Sequence, residues 1–194
     1  ARNGWRTGNH TLVDGTMSLV TDPFGGYPMG VTAENVADKF DISRTDQDAF
    51  AARSQRLAAK AQADGMFQDE IVDITVKERK SERVFNTDEH LRPTSNEEKL
   101  AKLRPAFRKG GSVTAGNSSG INDAAAMLVM TTESIAKAEG LKPIGELVSF
   151  AKAGLAPEIM GFAPALAIPR ALEKAGLSLT DIDWIELNEA FAAQ

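Results

Sequence analysis

The sequence predicts an α/β protein, and three observations carry that prediction. From about residue 122, apolar strand-like runs alternate with helical ones: 124–130, then a helix over 132–139, then "IGELVSFAKAG" at 144–154, a helix over 165–175, and "LSLTDIDWIEL" at 177–187, a helix-turn-strand lead into Asn188. A strand–helix–strand–helix–strand order is the rhythm of α/β folds. Ahead of it, residues 1–121 hold more loops and helices and only one or two strands. The glycine-, serine- and asparagine-rich stretch "GSVTAGNSSGIND", 111–123, separates the two regimes, which places the domain boundary near Ile121.

Each element has a local reason. Residues 1–30 are rich in glycine with little periodicity, so they read as an extended loop with short helical pieces. A short helix over 31–40 carries Val36, Ala37 and Phe40 on one face. Ser43 and Asp46 form an S-x-x-D capping signal for a helix running to about Asp64 and ending at Gly65. Its apolar face is Phe50, Leu57, Ala58 and Ala61. Residues 71–76 alternate as a strand, and 77–94 are charged and irregular. Ser95 and Glu98 make a second capping box, opening a short helix that Pro105 stops. At the far end, Trp184 to Leu187 read as a strand. Asn188 reads as the N-cap of a helix over the last residues, "EAFAAQ", for which no stop signal follows.

The composition narrows the function classes. A formal net charge of −5 argues against an electrostatic nucleic-acid binder. No run approaches eighteen apolar residues, so no membrane span is expected. The chain has no cysteine, which excludes disulfides, zinc–thiolate sites and a cysteine nucleophile within these residues. His10 and His90 are the only histidines and sit in no metal-ligand spacing. The 111–123 stretch either turns the chain or lets its backbone approach a ligand. It is no Walker loop, because no lysine follows the last glycine. Asn188, at the end of a predicted strand, stands where α/β sheets bind ligands, or is a plain cap. From the residues alone, no reaction follows.

Four stretches, in this order, resemble the thiolase family: "MGVTAENVADKF…ISRTDQDAFAARSQ", "LRPTSNEEKLAKLRPAF", "GSVTAGNSSGINDAAA" and "IELNEAFAAQ". The resemblance covers nearly the whole chain, which looks like part of a bacterial acetyl-CoA acetyltransferase or a closely related 3-ketoacyl-CoA thiolase. It implies a thiolase-like fold fragment. Residues 1–121 would be the inserted loop domain, 122–142 the end of the N-terminal α/β half, and 143–194 the start of the C-terminal half. The family reaction is acyl transfer through a cysteine thioester, joined to Claisen condensation or its thiolytic reverse. It acts on coenzyme A thioesters as substrates and needs no further cofactor. The nucleophilic cysteine is expected upstream of this chain, and a Gly-His-Pro histidine and an acid/base cysteine downstream. The sequence is thus expected to be the middle of a longer cytoplasmic enzyme, dimeric or tetrameric when intact and inactive as these 194 residues alone. A non-catalytic, coenzyme A-binding, thiolase-like module is the alternative.

The resemblance also implies residue roles. Asn188 matches the family asparagine that orders a catalytic water at the oxyanion hole. Met29, Met160 and Phe191 match apolar positions around the acyl and pantetheine groups. Ala115 and Ser119 match the lining of the pantetheine tunnel, and Phe107 packs near the same moiety. Arg92 matches a residue beside the adenine nucleotide, where a planar cation both stacks and answers phosphate. The segment 1–16 resembles the loop that builds tetramers. Pro28-Met29-Gly30 stands where many biosynthetic relatives have His-Met-Gly, and Pro169 is expected in or near the first turn of its helix.

Overall fold

The computed structural model describes residue 4 and residues 7–194. The expected tetramer-building segment, 1–16, lies partly outside these residues. Eight regular elements follow in order: α1 (Gly15–Leu19), α2 (Met29–Lys39), α3 (Arg44–Ala63), β1 (Ile74–Lys77), β2 (Glu82–Phe85), α4 (Glu97–Ala101), α5 (Glu133–Ala138) and α6 (Ala163–Ala175). Two 3-10 turns, Pro157–Phe162 and Leu179–Asp181, complete them.

The helix signals were largely local and largely correct. Ser43 caps α3 through a reciprocal box with Asp46, its side chain accepting from the Asp46 amide at 3.1 Å. Gly65 follows the last turn at φ +74°, a left-handed conformation that suits glycine. Gly176 does the same for α6 at φ +68°. Thr132 caps α5 as its position suggests. Helix α2 begins two residues before the expected start, at Met29. The cap of α4 is Asn96, one residue past Ser95, and that helix ends at Ala101 before Pro105 can act. Pro169 lies in the interior of α6 rather than its first turn, which Pro164 occupies.

The buried face of α3 is not the apolar one. Gln47, Asp48, Ala51 and Ala52 are buried, whereas Phe50 and Leu57 are each nearly half exposed. The cause is a polar seam: Asp48 and the Gln47 amide NH2 point at the 112–117 loop and find partners there. Around that seam lie two small apolar clusters. Ala33, Ala37, Val113 and Ala193 form one, with Ile42 and Phe191 against it. Ala51, Ala52 and Leu100 form the other, with Ala192 against it. Arg44 ties α3 to the end of α4 by donating to the carbonyls of Leu100 at 2.6 Å and Leu103 at 3.1 Å.

Strand pairing departs further from expectation. Among the described residues the one sheet is a two-stranded antiparallel hairpin of β1 and β2, with Ile74 opposite Phe85 and Lys77 opposite Glu82. Its second strand lies in the segment read as charged and irregular. The anticipated strands at 124–130, 144–154 and 184–187 form no ladder. Met127, Leu128, Val129, Ile144 and Trp184 are all highly exposed. A buried-strand sequence needs neighbouring strands, and among the described residues none pairs with these. The 149–152 stretch instead runs along α6, where the Ser149 hydroxyl donates to the Ala171 carbonyl at 2.7 Å and Lys174 donates to the Phe150 carbonyl at 3.2 Å. No described helix is long and apolar enough to cross a membrane.

Replacing Ser43 by alanine removes the cap of the longest helix. It is expected to destabilise the α2–α3 region by about 1 kcal/mol, read as a lower urea midpoint of the helical signal. An unchanged midpoint would show that Asp46 and solvent cap α3 equally well without the hydroxyl.

Candidate functional site

The site is built on the loop that follows Phe107. Two helices hold it by buried carboxylates. Glu34, on the inner face of α2, is fully buried. It accepts from the Ser112 amide at 2.9 and 3.1 Å, the Val113 amide at 3.0 Å and the Ser112 hydroxyl at 3.2 Å. The Arg108 guanidinium lies 3.5 Å from it and 2.7 Å from Asp38. Asp48, on α3, takes the Arg44 Nε at 2.7 Å on one oxygen and the Asn117 amide group at 3.0 Å on the other. Both helical acids are therefore paired or hydrogen-bonded, as buried charges must be.

Asn117 closes the loop on itself. Its side chain accepts from the Thr114 amide at 2.7 Å and donates to the Ser112 carbonyl at 3.1 Å as well as to Asp48. The Ser118 hydroxyl donates to the Thr114 carbonyl at 2.7 Å. Gln47 donates to the Ser112 hydroxyl at 2.9 Å and to the Ile42 carbonyl at 3.2 Å. Val113 and Thr114 are buried beneath. Glycine is needed at Gly111 and Gly116 for close approach: a Cβ at the first would stand 2.1 Å from the Glu34 carboxylate, and at the second 2.5 Å from Leu100 and Leu103.

The end of the loop meets the end of the chain. Ser118 and Phe191 form an antiparallel bridge, with the Ser119 amide donating to the Ala190 carbonyl and the Ala192 amide to the Asn117 carbonyl, both at 2.9 Å. Phe191 and Phe107 meet edge to face, centroids 5.9 Å apart and planes at 85°, a favourable aromatic geometry. Phe107 lies against Gly30, where a Cβ would stand 2.2 Å from its ring.

Ser119, Phe191 and Phe107 thus converge, and Met29 is the half-buried first residue of α2 beside Gly30. Ala115 is exposed on the outer curve of the loop. Met160, about half exposed, sits on the 3-10 turn that docks on α2, where Asn35 donates to the Glu158 carbonyl at 2.9 Å and Phe40 stacks on Phe162. Arg92 is exposed, and its backbone amide donates to Gln55 of α3 at 2.8 Å. The neighbouring His90 ring covers Gly120. Asn188 is exposed and caps nothing, because the last residues make a turn at the bridge in place of the expected helix. Pairing with Asn117–Ser119 takes the backbone groups a helix would have used. No group of three potential metal ligands occurs among the described residues. Glu34 and Asp48 are supports that the sequence reading did not single out. The one available signal was an acid, Glu34, flanked by the buried Ala33, Val36 and Ala37 on an apolar helix face.

The chain is similar to known proteins. Residues 1–134 match the thiolase N-terminal domain family and 141–194 the thiolase C-terminal domain family. The chain is 55% identical to an acetyl-CoA acetyltransferase of Syntrophomonas wolfei over 90% of its length and 44% of the relative's. It is 50% identical to a probable acetyl-CoA acyltransferase of Staphylococcus epidermidis over all of its length and 50% of the relative's. Among solved structures, the Bacillus anthracis acetyl-CoA acetyltransferase superposes with a TM-score of 0.86 at 49% identity, covering 99% of this chain and 49% of that one. The human mitochondrial 3-ketoacyl-CoA thiolase gives 0.81 at 39% identity, covering 100% and 49%. The chain spans about half the length of the curated relatives it matches.

Gly30→Ala should test the Phe107 contact. In a helix, alanine is favoured over glycine by up to about 1 kcal/mol, but overpacking costs about 1–3 kcal/mol. The single variant is expected to be less stable in urea, and the same change made on a Phe107→Ala background to be neutral or stabilising. Equal effects in both backgrounds would show that the ring does not constrain this position.

Proposed function

The chain belongs to the thiolase family, and on that premise we propose that it carries the coenzyme A-facing part of an acyl-CoA thiolase of the acetyl-CoA acetyltransferase type. The whole protein would transfer an acyl group through a cysteine thioester, coupled to Claisen condensation or its thiolytic reverse. The observation that carries the reading is the antiparallel seam between Asn117–Ser119 and 190–192. It sets the glycine-rich loop, the Phe107–Phe191 pair and the Asn188 segment side by side on buried supports.

In this reading residues 1–121 are the loop domain, 122–142 the end of the N-terminal half and 143–194 the start of the C-terminal half. Pantetheine runs past Ala115 and Ser119, with the exposed Ser119 hydroxyl facing an amide of that chain. Phe107, Phe191, Met29 and Met160 border the thioester and acyl group. Arg92, exposed in the segment before α4, takes the adenine nucleotide. Asn188 is exposed and hydrogen-bonded to no described residue, so its amide is available to orient a water at the thioester oxygen. Donors aimed at that oxygen stabilise the charge that develops when a thiolate adds to the carbonyl. Neither the attacking thiolate nor the acid/base thiol can come from these residues, which contain no cysteine. Nor do they contain a Gly-His-Pro sequence. The 194 residues therefore bind and orient the substrate without turning it over.

Calorimetry with coenzyme A and a thiolysis assay with a 3-ketoacyl-CoA, both on the purified 194-residue chain, test this together. Binding that Ser119→Ala weakens, without turnover, is expected. Turnover free of any other thiolase would overturn the division of labour, and the absence of any coenzyme A affinity would overturn the site.

A further inference from the structure

We infer that Glu34 is a positioning residue for the coenzyme A-facing loop, and that its charge, rather than its shape, is what the site requires. The inference rests on the reading above and extends it to a residue that touches no substrate. Glu34 is fully buried, yet each carboxylate oxygen is engaged. One accepts the amides of Ser112 and Val113, the other the Ser112 amide and hydroxyl, with the Arg108 guanidinium at 3.5 Å. Successive backbone amides converging on one anion form a concavity that prefers negative charge. Here the anion is supplied by a helix of the protein itself. Gly111 is built to admit it, since any Cβ would overlap the carboxylate.

Burying an anion is costly, and an apolar residue of similar volume often serves a core as well or better. Filling space therefore does not explain the residue, whereas fixing two amides does. From those amides the constraint passes outward. Ser112 and Val113 are held by Glu34, Thr114 and Ser112 by Asn117, and Thr114 in turn by Ser118. Asn117 and Ser119 then bond residues 190 and 192. Ala115, Ser119 and Phe191 take their places from this chain of contacts, whereas Ala51, Ala52 and Leu100 pack between α3 and α4 and meet the chain from outside, where Ala192 lies against them.

Two substitutions separate charge from shape. E34Q keeps the outline but turns an NH2 group toward two amide donors. E34D keeps the charge and shortens the reach. Coenzyme A affinity by calorimetry and amide hydrogen exchange on the 194-residue chain are the readouts. E34Q is expected to weaken coenzyme A binding about tenfold, the loss of a charge-assisted hydrogen bond. Exchange should quicken at Ser112, Val113, Ser119 and Ala192 but not at Ala51 or Ala52. E34D is expected to recover most of both signals. A role in shape alone predicts the reverse ranking, with E34Q milder than E34D, and that result would overturn the inference. So would global loss of helix in E34Q, which would assign Glu34 to the core rather than to the loop. Should the unsubstituted chain fail to bind coenzyme A, the functional reading fails while the exchange pattern still decides the role of Glu34.

Discussion

Two buried carboxylates, Glu34 on α2 and Asp48 on α3, grip one loop from opposite helices, and the rest of the structure depends on that grip. The apolar clusters around it are small and made largely of alanine. Alanine lets neighbouring segments approach each helix closely but buries little area per residue. Specificity of the loop's shape therefore cannot come from packing alone. It comes from directional bonds in a dry interior, where each is stronger than in water and each unmade one is expensive. Within this polar seam the Gln47 Oε1 atom is the one buried side-chain acceptor among the described residues without a partner.

That reliance explains which parts of the fold were legible in the sequence. Helix α3 was readable because its cap chemistry is local: Ser43 with Asp46 and Gly65 at positive φ each act within a few residues of the element they bound. The orientation of α3 was not readable. The eye follows Phe50 and Leu57, while Gln47 and Asp48 turn inward to partners 65 and 69 residues away. Nothing within α3 encodes those partners. For the same reason the acceptor role of Glu34 is not encoded within α2, being fixed by amides 78 and 79 residues on.

The strand-like segments failed for a different reason. Apolar runs such as 124–130 and 184–187 carry the composition of strands buried on both faces, and composition is what sequence reading detects. A strand exists only through its neighbours. Without them the runs stay exposed, and the β1–β2 hairpin, whose two strands are joined by a short turn, is the pairing that forms. The 111–119 loop and the terminal segment were legible as a candidate site through their resemblance. Their mutual pairing was not, because Asn188 reads locally as a helix cap and the helix loses to the bridge at Phe191.

The pairing of Ser119 with Ala190 closes a span of about 70 residues, and closing a flexible loop of that length costs about 4 kcal/mol. Two backbone hydrogen bonds of about 1 kcal/mol each return roughly half of it. Burial of Ala193, with Phe191 and Ala192 against the two clusters, supplies a comparable amount at about 25 cal/mol per Å². The balance is close to even, so the seam alone does not secure the terminal segment. A second attachment within the span changes this. The turn Pro157–Phe162 docks on α2 through Asn35, Phe40 and Val36, and Gly161 also lies beside Gln194. It divides the loop into two shorter ones and places their common anchor on the helix that carries Glu34. Helix α2 therefore organises both sides of the site: its inner face fixes the loop by charge, and its outer face fixes the returning chain by stacking and packing.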